Sequence, residues 1–313
     1  MSSTSWHDPA APDPFSVWHG MHDRVARLLK QPDSPRFVAE LDAVTEVILQ
    51  TVDAAPEASL FEMIYGEEIA GYAVAHALQT AFVTALVAQR MGWSLRDRQT
   101  LVKASLTMNI AMLDLQDALV RQPTAPTVRQ RQEIEAHAAR GRTMLEAAGV
   151  TDAVLLHTVA NHHVTDGGRA LPADRSAISP LACLVHYADV YLARLSPRAT
   201  RAALAINVAA RELLSSAGGT ANPYATAIVQ EMGNYPPGTF VKLRNGDTAI
   251  VLRRGNAPDT PLVSTLLRAD GTPYLMTQLT DTGEPDHKVV AALPRGQVML
   301  TLNRRRLYDQ AQG

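Results

Sequence analysis

The chain has 313 residues, 46% of them hydrophobic and 19% charged, which excludes a mostly disordered polymer. With 29 basic and 31 acidic residues the net charge is −2, and no electrostatic case exists for wrapping DNA or coating an anionic membrane. No apolar run reaches the roughly 18 residues of a bilayer span, and about 150 residues per domain predicts about two domains.

The start, MSSTSWHDPAAPDPF, is polar and proline-rich. It reads as a disordered leader and lacks the basic-then-apolar order of a secretory signal. From Phe15 to about Ala55 apolar residues recur at helical spacing: Val17, Met21 and Val25, then Phe37, Leu41 and Val44, with QPDSPR as the turn between. IAGYAVAHALQTAFVTALVAQRMG predicts one long buried helix ending at Gly92. Ser94 caps the next, SLRDRQTLVKASLTMNIAML, read as continuous, and Pro123 and Pro126 mark a loop. Thr127 caps TVRQRQEIEAHAARGRTMLEAAG, which stops at Gly149. DAVLLHTVANHH, ISPLACLVHYADVYLARL, the stretch from about Thr200 to Ser216 and NPYATAIVQEMG complete the helices, with the loop VTDGGRALPADR among them.

At Tyr235 the period changes. FVKL and TAIVL flank RNGD, and Asn-Gly supplies the positive φ angles of a tight hairpin. PLVSTLLRADGTPYLMTQLTD repeats the scheme, and HKVVAAL reads as a further strand. The fold class is therefore mostly α, with a small C-terminal antiparallel β module. The expected parts are a leader with N-terminal helices (1–59), a helical domain (60–234), and the β module with its tail (235–313). Arg304, Arg305 and Arg306 read as a solvated end. Cys183, the single cysteine, lies in the apolar run LACLV. It allows no intramolecular disulfide, fits a reducing cytoplasm, and reads as packed. No P-loop, Rossmann turn or nucleophile elbow is present.

Ten histidines remain to be placed. A metal site on a helical bundle needs imidazole and carboxylate donors from several helices aimed into one pocket. His76, His137, the pair His162–His163, and Asp189 in YADVYLARL are the candidate donors, each on its own predicted helix or helix end.

In order and spacing these residues resemble the HD-GYP branch of the HD superfamily, bacterial phosphodiesterases that linearise cyclic di-GMP at a two- or three-metal centre. The resemblance covers roughly residues 60–240 and implies an HD-type helical bundle. It assigns ligand roles to His76 in AVAHALQTA, His137 in EAHAARGRTML, His162, His163 and Asp189. The departures are specific. The signature His-Asp aligns with Met108 and Asn109, and the phosphate-facing lysine with Met112. Tyr72 stands where some members carry a Glu, and Val164 where Glu follows the His pair. The Gly-Tyr-Pro loop reads DGGRALP, so that Asp166, Gly167, Gly168 and Arg169 are the candidates for ligand contact.

Two divalent ions about 3.5–4 Å apart repel unless an anion bridges them. Asn109 offers a neutral carbonyl there, and Met108 is a soft donor poorly matched to Fe, Mn or Mg. Three outcomes stay open. The histidines are packed remnants without metal; they hold one divalent ion (Fe, Mn, Zn or Ni); or Asp114, Asp117, His157 or His186 completes a rearranged hydrolytic site. The leading expectation is a degenerate, catalytically weak or silent domain of bacterial cyclic-dinucleotide signalling. It would act as a regulator or scaffold for a signalling protein partner, as a homodimer; a further possibility is a purely structural dimer module whose apolar N-terminal helices pair two copies across a two-fold axis. The alternative is a metal-dependent phosphodiesterase.

Overall fold

A computed structural model describes residues 14–66, 71–163, 179–255, 257, 259–298 and 300–307. In chain order the helices are α1 (Pro14–Lys30), α2 (Phe37–Ala54), α3 (Pro56–Tyr65), α4 (Tyr72–Arg90), α5 (Leu95–Thr107), α6 (Leu113–Arg121), α7 (Val128–Ala147), α8 (Ala153–Asn161), α9 (Pro180–Leu195), α10 (Ile206–Ser216) and α11 (Pro223–Met232). The strands are β1 (Phe240–Leu243), β2 (Thr248–Arg253), β3 (Leu262–Leu267), β4 (Pro273–Asp281) and β5 (Val289–Leu293). This is the mostly helical fold with a small antiparallel sheet that the sequence predicts. Among the described residues no helix is long and apolar enough to cross a membrane. Most of the expected leader, residues 1–13, and the candidate ligand residues Asp166, Gly167, Gly168 and Arg169 lie outside the described residues.

Contacts divide the chain into two compact units, one of Gly20–Ala54 and Glu68–Glu231, the other of Met1–His19, Ala55–Glu67 and Met232–Gly313. Against the expected parts 1–59, 60–234 and 235–313, this division joins residues 20–54 to the helical unit and groups α3 with the sheet. In the first unit α4 is the central element. Every residue from Tyr72 to Ala88 except Gln79 is buried, as its apolar residues on all sides require. Helices α5, α9, α6 and α2 pack around it. Its buried hydroxyls are satisfied locally. Thr80 donates to the His76 carbonyl at 2.7 Å, Thr84 to the Thr80 carbonyl at 2.8 Å, and Thr84 also meets Ser105 of α5 at 3.0 Å.

Ser94 caps α5 by accepting from the Asp97 N–H, and Thr127 with Gln130 forms a full capping box on α7. Asp152 accepts from the N–H groups of Val154 and Leu155 at the start of α8. The expected continuous helix after Ser94 is instead broken. It ends at Thr107, passes Met108 and Asn109, makes a 3-10 turn over Ile110–Met112, and restarts as α6. The break is a packing feature. It lies against α7 at Gly141, where an added Cβ would stand 3.6 Å from Ile110 Cγ2, 3.8 Å from the Met108 carbonyl oxygen and 3.5 Å from Val159 Cγ1 of α8. A second correction concerns residues 200–205, expected as helix. Arg201 folds back there and donates to the carbonyls of Arg194 (3.0 Å) and Ala193 (2.5 Å), satisfying the open end of α9, so that α10 starts only at Ile206.

In the second unit the sheet runs β4-β3-β2-β1-β5, antiparallel throughout. Asn245-Gly246 turns β1 into β2, with Gly246 at φ +90° as the tight turn demands. Alternation sorts the side chains. Phe240, Ile250, Leu252 and Leu266 pack with Phe61 and Tyr65 of α3 and with Val298 and Leu307. Val241, Ala249, Val251 and Val263 form a second cluster. Ion pairs tie α3 to later chain: Glu57 to Arg254 at 2.5 Å and Glu62 to Arg304 at 2.8 Å. Arg304, expected in a solvated tail, is thus the counter-ion of a glutamate that is 2% exposed. A buried carboxylate demands such a partner, which overrides the tail reading.

Gly238 sits tightly against α3. Its φ is +89°, and a Cβ there would stand 2.8 Å from the Phe61 carbonyl oxygen and 3.1 Å from the Tyr65 nitrogen. Gly238→Ala is expected to cost about 1–3 kcal/mol, read as a lowered urea midpoint; an unchanged midpoint would contradict this packing.

Candidate metal centre

Helices α7 and α8 deliver the tightest cluster of candidate donors. His137 lies on α7, one turn before Gly141; His162 and His163 follow the last residue of α8, with His162 as its C-cap. Nε2 of His137 lies 3.2 Å from Nε2 of His162 and 3.2 Å from Nε2 of His163. One ligand atom from each of the three rings falls within 4.8 Å of the others. His137 and His162 are buried, whereas His163 faces solvent.

The outer ring nitrogens fix the chemistry of the inner ones. Nδ1 of His137 donates to the Ile134 carbonyl, and Nδ1 of His162 to the Val159 carbonyl at 2.7 Å. A carbonyl only accepts, so in the neutral rings both protons sit on Nδ1 and both Nε2 atoms present lone pairs. Burial holds both rings below the ordinary imidazole range. For His137 it outweighs the Ile134 hydrogen bond and the charge of Asp189. For His162 burial, reinforced by His163, brings the pKa down to about 3. Two lone pairs facing at 3.2 Å cannot hydrogen-bond to each other. One proton from His163 satisfies at most one of them. A cation shared by the three nitrogens satisfies all, and neutral imidazoles held by outer carbonyls are the usual way proteins present such donors.

His76 and Asp189 are brought together, but with each other. His76 Nε2 lies 2.6 Å from Asp189 Oδ1, joining α4 to α9, and Tyr72 stacks on the His76 ring at 5.4 Å. Burial pushes the Asp189 carboxyl up, yet the His76 hydrogen bond and the nearby histidines outweigh it and keep it below the usual carboxylate range. The Asp189 charge in turn opposes the effect of burial on His163 and His186.

Met108 is 0% exposed and Asn109 4% exposed, both in the break after α5, while Met112 is only partly buried. Asn109 Oδ1 is buried and accepts no hydrogen bond among the described residues. Of the residues considered for a rearranged site, Asp114 and His157 are exposed. Asp117 accepts from the Ala73 N–H at 2.8 Å, capping α4. His186 alone adjoins the cluster, its ring centroid 6.0 Å from that of His163. The outer carbonyls were not legible in the sequence, because backbone partners leave no residue-type signal.

No protein-family model matches this sequence, and no curated protein matches it. Among solved structures it is similar to Bd1817, a HDG"Y"P protein from Bdellovibrio bacteriovorus, at 14% identity over 74% of each chain with a TM-score of 0.55. That likeness is one of fold.

Proposed function

We propose that this chain is a degenerate HD-GYP-like domain of cyclic-dinucleotide signalling, silent as a phosphodiesterase, that acts by binding as a regulator or interaction scaffold. His137, His162 and His163 would hold a single divalent ion of borderline character, Zn, Ni or Fe. The observation that carries the reading is the pair of Nε2 lone pairs at 3.2 Å, both tautomers set by backbone carbonyls. Such an ion, when bound, supplies Lewis acidity. This chain's own residues supply neutral donors, a mostly buried carboxylate spent on His76, and no bridging anion at Asn109.

A rearranged hydrolytic site is the weaker reading, because Asp114 and His157 face solvent and Asp117 caps a helix. Without the anionic bridge and the lysine now replaced by Met112, several kcal/mol of transition-state stabilisation are missing. The test is elemental mass spectrometry of protein purified without chelators, together with a cyclic di-GMP hydrolysis assay. About one equivalent of Zn, Ni or Fe and no linear product is the expected result. Two or more equivalents with steady product release would overturn the reading, and so would metal-free protein that refuses added Zn.

A further inference from the structure

His186 has no place among the assigned donors, yet it touches the backbone on which two of them depend. His162 and His163 leave α8 at its C-terminus, where helix carbonyls lack intrahelical partners. The open carbonyl of His162 is taken by Nδ1–H of His186 at 2.9 Å. His186 stands on α9 three residues before Asp189, so one stretch of that helix makes two ties: Asp189 to the His76 ring and His186 to the His162 main chain. The ring of His186 also lies edge-to-face with that of His163 at 6.0 Å. Beyond His163 the next described residue is Ser179, so among the described residues this hydrogen bond is what ties the His162 carbonyl to α9.

We infer that His186 is a positioning residue for the three-histidine cluster: by holding the His162 carbonyl it sets where the His162 and His163 rings stand relative to His137. The inference rests on the metal reading above and adds to it the residue that tunes the site. The bond runs through Nδ1, and this makes the role separable from a ligand role. Asparagine places an N–H donor where Nδ1 stands, whereas glutamine reaches the position of Nε2. A clamp is kept by His186→Asn and lost in His186→Gln and His186→Ala. A fourth ligand acting through Nε2 gives the opposite order.

The experiment titrates chelator-treated full-length protein with Co²⁺, reading the visible ligand-field bands, and with Zn²⁺ in competition. Each variant is melted alongside to show that it is folded. The expected result is Zn²⁺ affinity about 10–100-fold weaker in His186→Ala and His186→Gln, with altered Co²⁺ bands, and recovery to within a few-fold in His186→Asn. His186→Ala affinity equal to wild type, or recovery by Gln and not Asn, overturns the inference while leaving the metal reading intact. Wild-type protein that takes up neither ion overturns both. If His186→Ala fails to fold, the Asn and Gln variants decide.

Discussion

Met108→His combined with Asn109→Asp is expected to raise the divalent-ion content of the purified protein from about one equivalent toward two. The break that carries these residues lies against α7 at Gly141, one turn beyond His137, and Val159, whose carbonyl orients His162, flanks the same glycine. New donors at 108 and 109 are expected to enter beside the existing cluster. The aspartate adds the negative charge that lets two cations sit close together, and its oxygen replaces an amide carbonyl that is buried and unbonded among the described residues. Elemental analysis of the double variant against the wild type is the measurement. Equal metal content in a folded double variant would mean that the break does not open onto the histidines.

The second large effect is on stability against acid. In the unfolded chain an imidazole takes up a proton near pH 6.5, whereas folded His162, buried and beside His163, resists until about 3. Between those limits the unfolded state binds more protons. Folding stability of the chelator-treated protein is thus whole above about pH 6.5 and falls as pH drops toward 3, by about 1.4 kcal/mol per pH unit for this residue. His137, His163 and His186 are lowered by burial too and act with the same sign, and Asp189 joins at the acid end. Urea midpoints at pH 7, 6, 5 and 4 read the slope, and His162→Gln flattens it. A level profile across that range would show that the cluster is solvated.

Much of this architecture was readable in the residues. Ser94 and Thr127 announce their helices because a cap is a local contact, and Asn245-Gly246 announces its hairpin for the same reason. The break at Met108–Asn109 was hidden, since TMNIAML continues an apolar helical pattern and only the fit against Gly141 interrupts it. The allegiance of α3 to the sheet was equally hidden, because Glu62 finds Arg304 across 242 positions. For the candidate site, the residues singled out by order and spacing lie on α4, on α7, at the end of α8 and on α9. The division of labour among them depends on side-chain geometry: three rings converge and the His76–Asp189 pair closes on itself.

The spacing of these contacts along the chain has a consequence for how the molecule assembles. His137 meets His162 across 25 positions and His163 across 26, within two successive helices, while His76 reaches Asp189 across 113. Closing the longer loop costs about 1.3 kcal/mol more in chain entropy. The imidazole trio is therefore a near-neighbour structure that can form early on a single helical hairpin, and the aspartate tie is added once distant segments have come home.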